Sequence, residues 1–211
     1  MSNTTNTSST GNRFSAFTIA CMGFLTALVI VLELVASGVR VFGAFNITLV
    51  LIPIVIGAAF FGWIAGAWLG MVFGLTVLLS GQASLFMGWN AFGTIVTVMA
   101  KGIGCGALTG LVFTSLQKAK VNLGTSTVVS AIVAPVVNTG IFFLGCLIFF
   151  ASPIKDMGEG KSLVTAILTV FIGLNFPVEL GVNLVLSSAV IYLISYLRKS
   201  GLVKKVTTNK K

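Results

Sequence analysis

From Phe92 to Leu116 the chain carries one charged residue, Lys101. An uncharged run of that length fits either the interior of a large protein or a lipid bilayer, and composition separates the two. Hydrophobic residues make up 56% of the 211, charged residues 8%, and the mean hydropathy is +1.09. Soluble domains carry about 25% charged residues, so this chain has too few to cover a water-facing surface. The sequence therefore describes an all-α membrane protein. Its 24 glycines and 4 prolines suit helices packed through small residues.

Several chemistries are excluded early. There is no histidine, the commonest general base and metal ligand. Cys21, Cys105 and Cys146 stand far apart in apolar runs and read as reduced packing residues, so no metal centre and no cofactor are expected. GxSxG, HExxH and P-loop spacings are absent. The stretch GEGKS at Gly158–Ser162 lacks the full phosphate-loop spacing. The chain reads as no enzyme and hydrolyses no nucleotide. Its basic residues form no patch with interleaved aromatics, so nucleic acid is not an expected partner.

Residues 1–12 are polar and low in complexity, expected to form a disordered cytoplasmic tail rather than a signal peptide. Residues 13–198 form the membrane domain, and 199–211 a basic cytoplasmic tail. Six spans are expected: Phe14–Ser37, a short one from after Asn46 to Phe61 containing Pro53, Trp63–Ser80, Phe92–Leu116, Thr127–Ala151 and Phe176–Leu197. Asn175-Phe176-Pro177 reads as a helix start, which makes Leu163–Gly173 a separate apolar helix in the outer loop. A single long, kinked sixth span is the competing parse. Arg13, Lys118, Lys120, Arg198, Lys199, Lys204, Lys205, Lys210 and Lys211 fall on one side of this topology. Arg40, Lys155 and Lys161 fall on the other, with Asp156 and Glu159. The positive-inside rule then places both termini in the cytoplasm.

Gly62, Gly66, Gly70 and Gly74 recur every fourth residue, as do Gly102, Gly106 and Gly110. Each set lines one face of a helix and lets a second backbone approach closely. Tight packing inside the bundle is the simpler reading, and a sliding face the other.

Polar groups inside spans carry the functional information, because each costs free energy unless paired or solvated. Lys101, Asn138, Asn175, Glu179, Asn183 and Glu33 are such groups, with Arg40 in the loop after the first span and Trp89-Asn90 before the fourth. Asn175, Glu179 and Asn183 share a helix face. Most of these fall in the outer half of the bundle, which points to an outward-facing polar pocket with aromatic walls. Arg40, Trp89, Asn90, Lys101, Asn138, Asn175 and Glu179 are the candidate substrate-binding residues. A Lys101–Glu179 ion pair that merely staples two helices is the structural alternative. Glu33 and Glu179 taking up protons in a secondary transporter is another.

The chain resembles the substrate-binding S component of an energy-coupling factor (ECF) vitamin transporter. The resemblance rests on AFTIA at Ala16–Ala20, FNITLVLIPIVIGAAFFGWIAGAWLG, WNAFGTIVTVMAKGI, APVVNTGIFFLG and GLNFPVELGVNLVLSSAVI. Together these span most of Phe14–Leu197. NTGIFFLG and NFPVELGVN point to the branch that includes pantothenate-type S components.

The resemblance implies a bacterial plasma-membrane subunit with an S-component-like bundle that captures a vitamin from outside, under the loop between spans one and two. A transmembrane coupling subunit would contact Ala16 and Ala20, and two cytoplasmic ATPases would supply energy while the S component topples to deliver its cargo. Pantothenate is the first choice of vitamin, its carboxylate meeting Lys101 or Arg40. Riboflavin, folate, pyridoxine-type and nicotinate ligands, or an autonomous proton-coupled permease, are the alternatives.

Overall fold

Lipid offers no partners to backbone N–H and C=O groups, so apolar segments of this chain satisfy them internally as helices. The computed structural model describes residues 16–38, 49–158, 160–173 and 175–199, and among these there is no strand. The helices are α1 (Ala16–Gly38), α2 (Leu51–Phe61), α3 (Trp63–Leu79), α4 (Ser84–Trp89), α5 (Ala91–Lys118), α6 (Leu123–Phe149), α7 (Ala151–Met157), α8 (Leu163–Ala166) and α9 (Asn175–Lys199). A π-helical turn, Ile167–Ile172, prolongs α8.

The helix ends follow local chemistry. The Asn90, Asn122 and Ser162 side chains accept from backbone N–H groups of Gly93, Thr125 and Thr165, capping α5, α6 and α8. Gly62, at φ 88°, separates α2 from α3. Such a left-handed conformation suits glycine, which has no Cβ to clash. About this residue α2 folds back on α3, so that Gly57 lies against the Leu69 side chain. Gly173, at φ 36°, ends the π-helical turn before α9 begins at Asn175. The last third is therefore two elements, as Asn175-Phe176-Pro177 predicts, and the single kinked span does not form.

Among the described residues, four helices are long and apolar enough to cross a membrane: α1, α5, α6 and residues Phe176–Tyr196 of α9. The other two expected spans are shorter. The 11 residues of α2 reach about 16 Å and the 17 of α3 about 25 Å at 1.5 Å per residue. Short helices α4 and α7, absent from the sequence reading, sit with α8 at one end of the bundle. Of the expected tails, 1–12 and 199–211, only Lys199 is described, and it is the last residue of α9; the rest lie outside the described residues, as does Arg40.

The two glycine sets meet each other. An added Cβ on Gly66 would fall on the Gly106 carbonyl, and one on Gly70 on the Gly102 carbonyl. The reverse holds for Gly102 and Gly106, and Gly110 faces the Trp63 backbone. The pairing runs in opposite directions along the two chains, so α3 and α5 form an antiparallel seam in backbone contact. The packing reading of the glycines is the one that forms. On its other side α5 meets α6, where Gly145 faces Thr97 and the Cys105 Sγ donates to the Ala134 carbonyl at 3.3 Å.

A core of Leu25, Val29, Leu51, Ile54, Leu69, Phe73 and Val98 joins α1, α2, α3 and α5. A second cluster, around Cys146, Phe150, Ile154 and Ile167, joins α6, α7 and α8.

Candidate functional site

Lys101 stands ten residues into α5, about 15 Å along the helix. It shares a face with Thr97, Cys105 and Thr109, because residues four apart stack on one side of a helix. The glycine seam brings α3 so close that Phe73 reaches this lysine. Lys101 Nζ lies 5.5 Å from the Phe73 ring centroid and 5.7 Å from that of Phe142 on α6. Both are within the 6 Å or so over which a ring quadrupole attracts a cation.

Two carboxylates complete the group. Glu179, on the second turn of α9, is 6% exposed, and its Oε1 accepts from Asn138 Nδ2 at 3.2 Å. Asn183, one turn further, donates to the Glu179 backbone carbonyl at 2.8 Å. Glu33, near the end of α1, is 2% exposed and accepts from Gln82 Nε2 at 2.5 Å. Lys101 acts electrostatically on both acids, on Glu179 more strongly than on Glu33. Among the described residues no carboxylate oxygen lies within 4.0 Å of its ammonium. The Lys101–Glu179 pair expected as a staple is therefore not in contact, and the rings hold the lysine instead.

Thus the three charged residues inside the spans, from α1, α5 and α9, come together. Aromatic rings lie beside the lysine. Phe86 of α4 packs against Trp89, Phe142, Phe150 and Phe171, with centroids 5.0–5.5 Å away. Phe142 belongs both to this cluster and to the lysine's surroundings.

The expected site residues divide accordingly. Lys101, Asn138 and Glu179 are brought together. Trp89 lies in the aromatic cluster, and Asn90 spends its side-chain oxygen on the Gly93 N–H at 2.8 Å. Asn175 opens α9, and Arg40 lies outside the described residues. Ala16 and Ala20 are exposed on α1, away from this group. The sequence reading left Gln82, Phe73 and Phe142 out and noted Glu33 without counting it in the site.

A half-buried lysine with aromatic rings beside it and two buried carboxylates with amide partners can hold a small polar molecule. A model of the family "ECF transporter, substrate-specific component" matches residues 17–200. The chain belongs to this family. Substrate-specific components are transporter subunits, not enzymes; they bind a small substrate and work with transmembrane and ATPase subunits. Neither a curated protein nor a solved structure matches the chain.

Proposed function

We propose that this protein is the substrate-capture subunit of an ECF-type importer in a bacterial plasma membrane. It takes up a small water-soluble vitamin from outside at the Lys101–Glu33–Glu179 group. The electrostatic grouping of all three intramembrane charges, with aromatic rings beside the lysine, supports this reading, since desolvated charges are costly and collect where they serve a ligand or an ion. Six spans with both termini cytoplasmic suit it, with α2 and α3 as the two short spans and the α4, α7 and α8 end outside. Ala16 and Ala20 on α1 would then lie near the cytoplasmic surface, where a coupling subunit and two ATPases dock. Within the vitamins, pantothenate rests on Lys101 alone, as a cation open to a carboxylate.

The test is reconstitution of the purified chain in liposomes. It is expected to bind its vitamin yet to concentrate none across the bilayer until the coupling subunit, the ATPases and ATP are added. Uptake driven by a proton gradient in the chain alone would establish the permease instead, with Glu33 or Glu179 carrying the proton.

A further inference from the structure

Apart from the Lys101 ammonium itself, the unused hydrogen-bonding positions at the Lys101–Glu33–Glu179 group are oxygens. Glu33 and Glu179 each use Oε1, toward Gln82 and Asn138; their second oxygens have no hydrogen bond among the described residues. Asn138 turns its NH2 toward Glu179, where Nδ2 donates to Oε1. That leaves Asn138 Oδ1 buried without a partner in a residue 7% exposed. Thr97 Oγ1, one turn from Lys101 on the same face of α5, is likewise buried and unpartnered. The free positions are thus carboxylate, amide and hydroxyl oxygens.

The charges lean the same way. Two carboxylates and one ammonium lie within electrostatic reach of one another. Ionised together, the two acids outnumber the single ammonium, so a second cation would let both carry charge at membrane depth, where an uncompensated charge is costly.

We propose that the substrate carries a protonated amino or amidino group that enters between Glu33, Glu179 and Asn138. An alkylammonium brings three donors and a single positive charge, which matches the free oxygens and, with both acids ionised, brings the group to neutrality. Lys101, whose N–H groups have no oxygen acceptor among the described residues, is left for an acceptor atom elsewhere on the same molecule. A carboxylate-bearing ligand would bring a third acid to a group that already holds two acids and one ammonium, so the site discriminates against acids as well as in favour of cations. This inference rests on the substrate-capture reading and replaces an anionic vitamin with a cationic one.

The experiment is a thermal-shift and calorimetric screen of the full-length protein in detergent against water-soluble vitamins, amines and amino acids. It includes two matched series on a common ring: picolylamine, pyridylmethanol and nicotinate, and pyridoxamine, pyridoxine and pyridoxate. Pantothenate serves as a further anion. The strongest stabilisers are expected to be protonated amines or amidines, and the amine is expected to lead any series that binds. Glu33→Gln and Glu179→Gln, on separate helices so that one misfolded variant leaves the other informative, should each weaken the best cation about tenfold to a hundredfold. Tighter binding of the acids or pantothenate, or unchanged cation affinity in both variants, would overturn the assignment. No stabilisation by any compound would overturn the capture reading beneath it.

Discussion

Replacing Gly70 by alanine adds one methyl group where the structure has no room for it. The new Cβ would lie on the carbonyl oxygen of Gly102, with the carbonyl carbon 2.7 Å and Ile103 Cα 3.3 Å away. Comfortable carbon–carbon contact is about 3.5–4.0 Å. The obstruction is backbone, so no side-chain rotation relieves it, and α3 and α5 must part. Overpacking of this kind costs about 1–3 kcal/mol, and rigid backbone on both sides places Gly70→Ala at the upper end. Better helix propensity returns at most about 1 kcal/mol. The net loss of about 2 kcal/mol corresponds to a fall in Tm of about 4–8 °C for a chain of this size.

Gly140→Ala is the matched control. Its position inside α6 has nothing within 4 Å of an added Cβ, so only the propensity gain remains and Tm should hold or rise slightly. Both variants are melted in one detergent, followed by circular dichroism. If Gly70→Ala melts no lower than Gly140→Ala, the backbone contact between α3 and α5 is refuted. Because Phe73 rides on α3, Gly70→Ala should also weaken ligand binding.

Lys101→Ala should lower ligand affinity by about 2–5 kcal/mol, as loss of one member of a desolvated charge group does; calorimetry on folded protein checks it. Asn90→Ala removes a helix cap and should cost about 1 kcal/mol of stability with ligand affinity unchanged, whereas a tenfold loss of affinity would return Asn90 to the binding site. Ala16→Trp with Ala20→Trp should leave binding by the isolated chain intact and abolish uptake by the assembled importer, since both alanines are exposed on α1. Wild-type uptake would send the coupling interface to another helix.

The long helices were legible in the sequence because apolar length is a direct physical requirement of the bilayer. The break before α9 was legible because Asn175-Phe176-Pro177 carries its own start signal. The glycine seam was visible as a spacing of four. Helices α4 and α7, of 6 and 7 residues, are too short to impose a period.

At the site, Lys101, Asn138 and Glu179 stood out as polar groups among apolar ones. Their arrangement did not. Pairing by opposite charge suggests a Lys101–Glu179 contact, yet the close backbone approach at Gly70 and Gly102 delivers Phe73 to the lysine instead. No pattern distinguishes Phe73 and Phe142 among 17 phenylalanines. Gln82, in a turn between α3 and α4, looks like an ordinary loop residue until α1 brings Glu33 beside it. That the Asn90 oxygen caps α5 was not legible either, because a cap and a binding group use the same amide.

Phe142 touches both the Lys101 ammonium and Phe86, and Phe86 stacks edge-on against Trp89 with centroids 5.3 Å apart. Trp63 and Trp68, the other two indoles, are each 49% exposed on α3. A molecule that displaces Phe142 must therefore alter the surroundings of one indole while leaving two at the lipid-facing surface unchanged. The protein carries its own optical reporter, in which emission from Trp89 registers occupancy of a charge centre it does not touch.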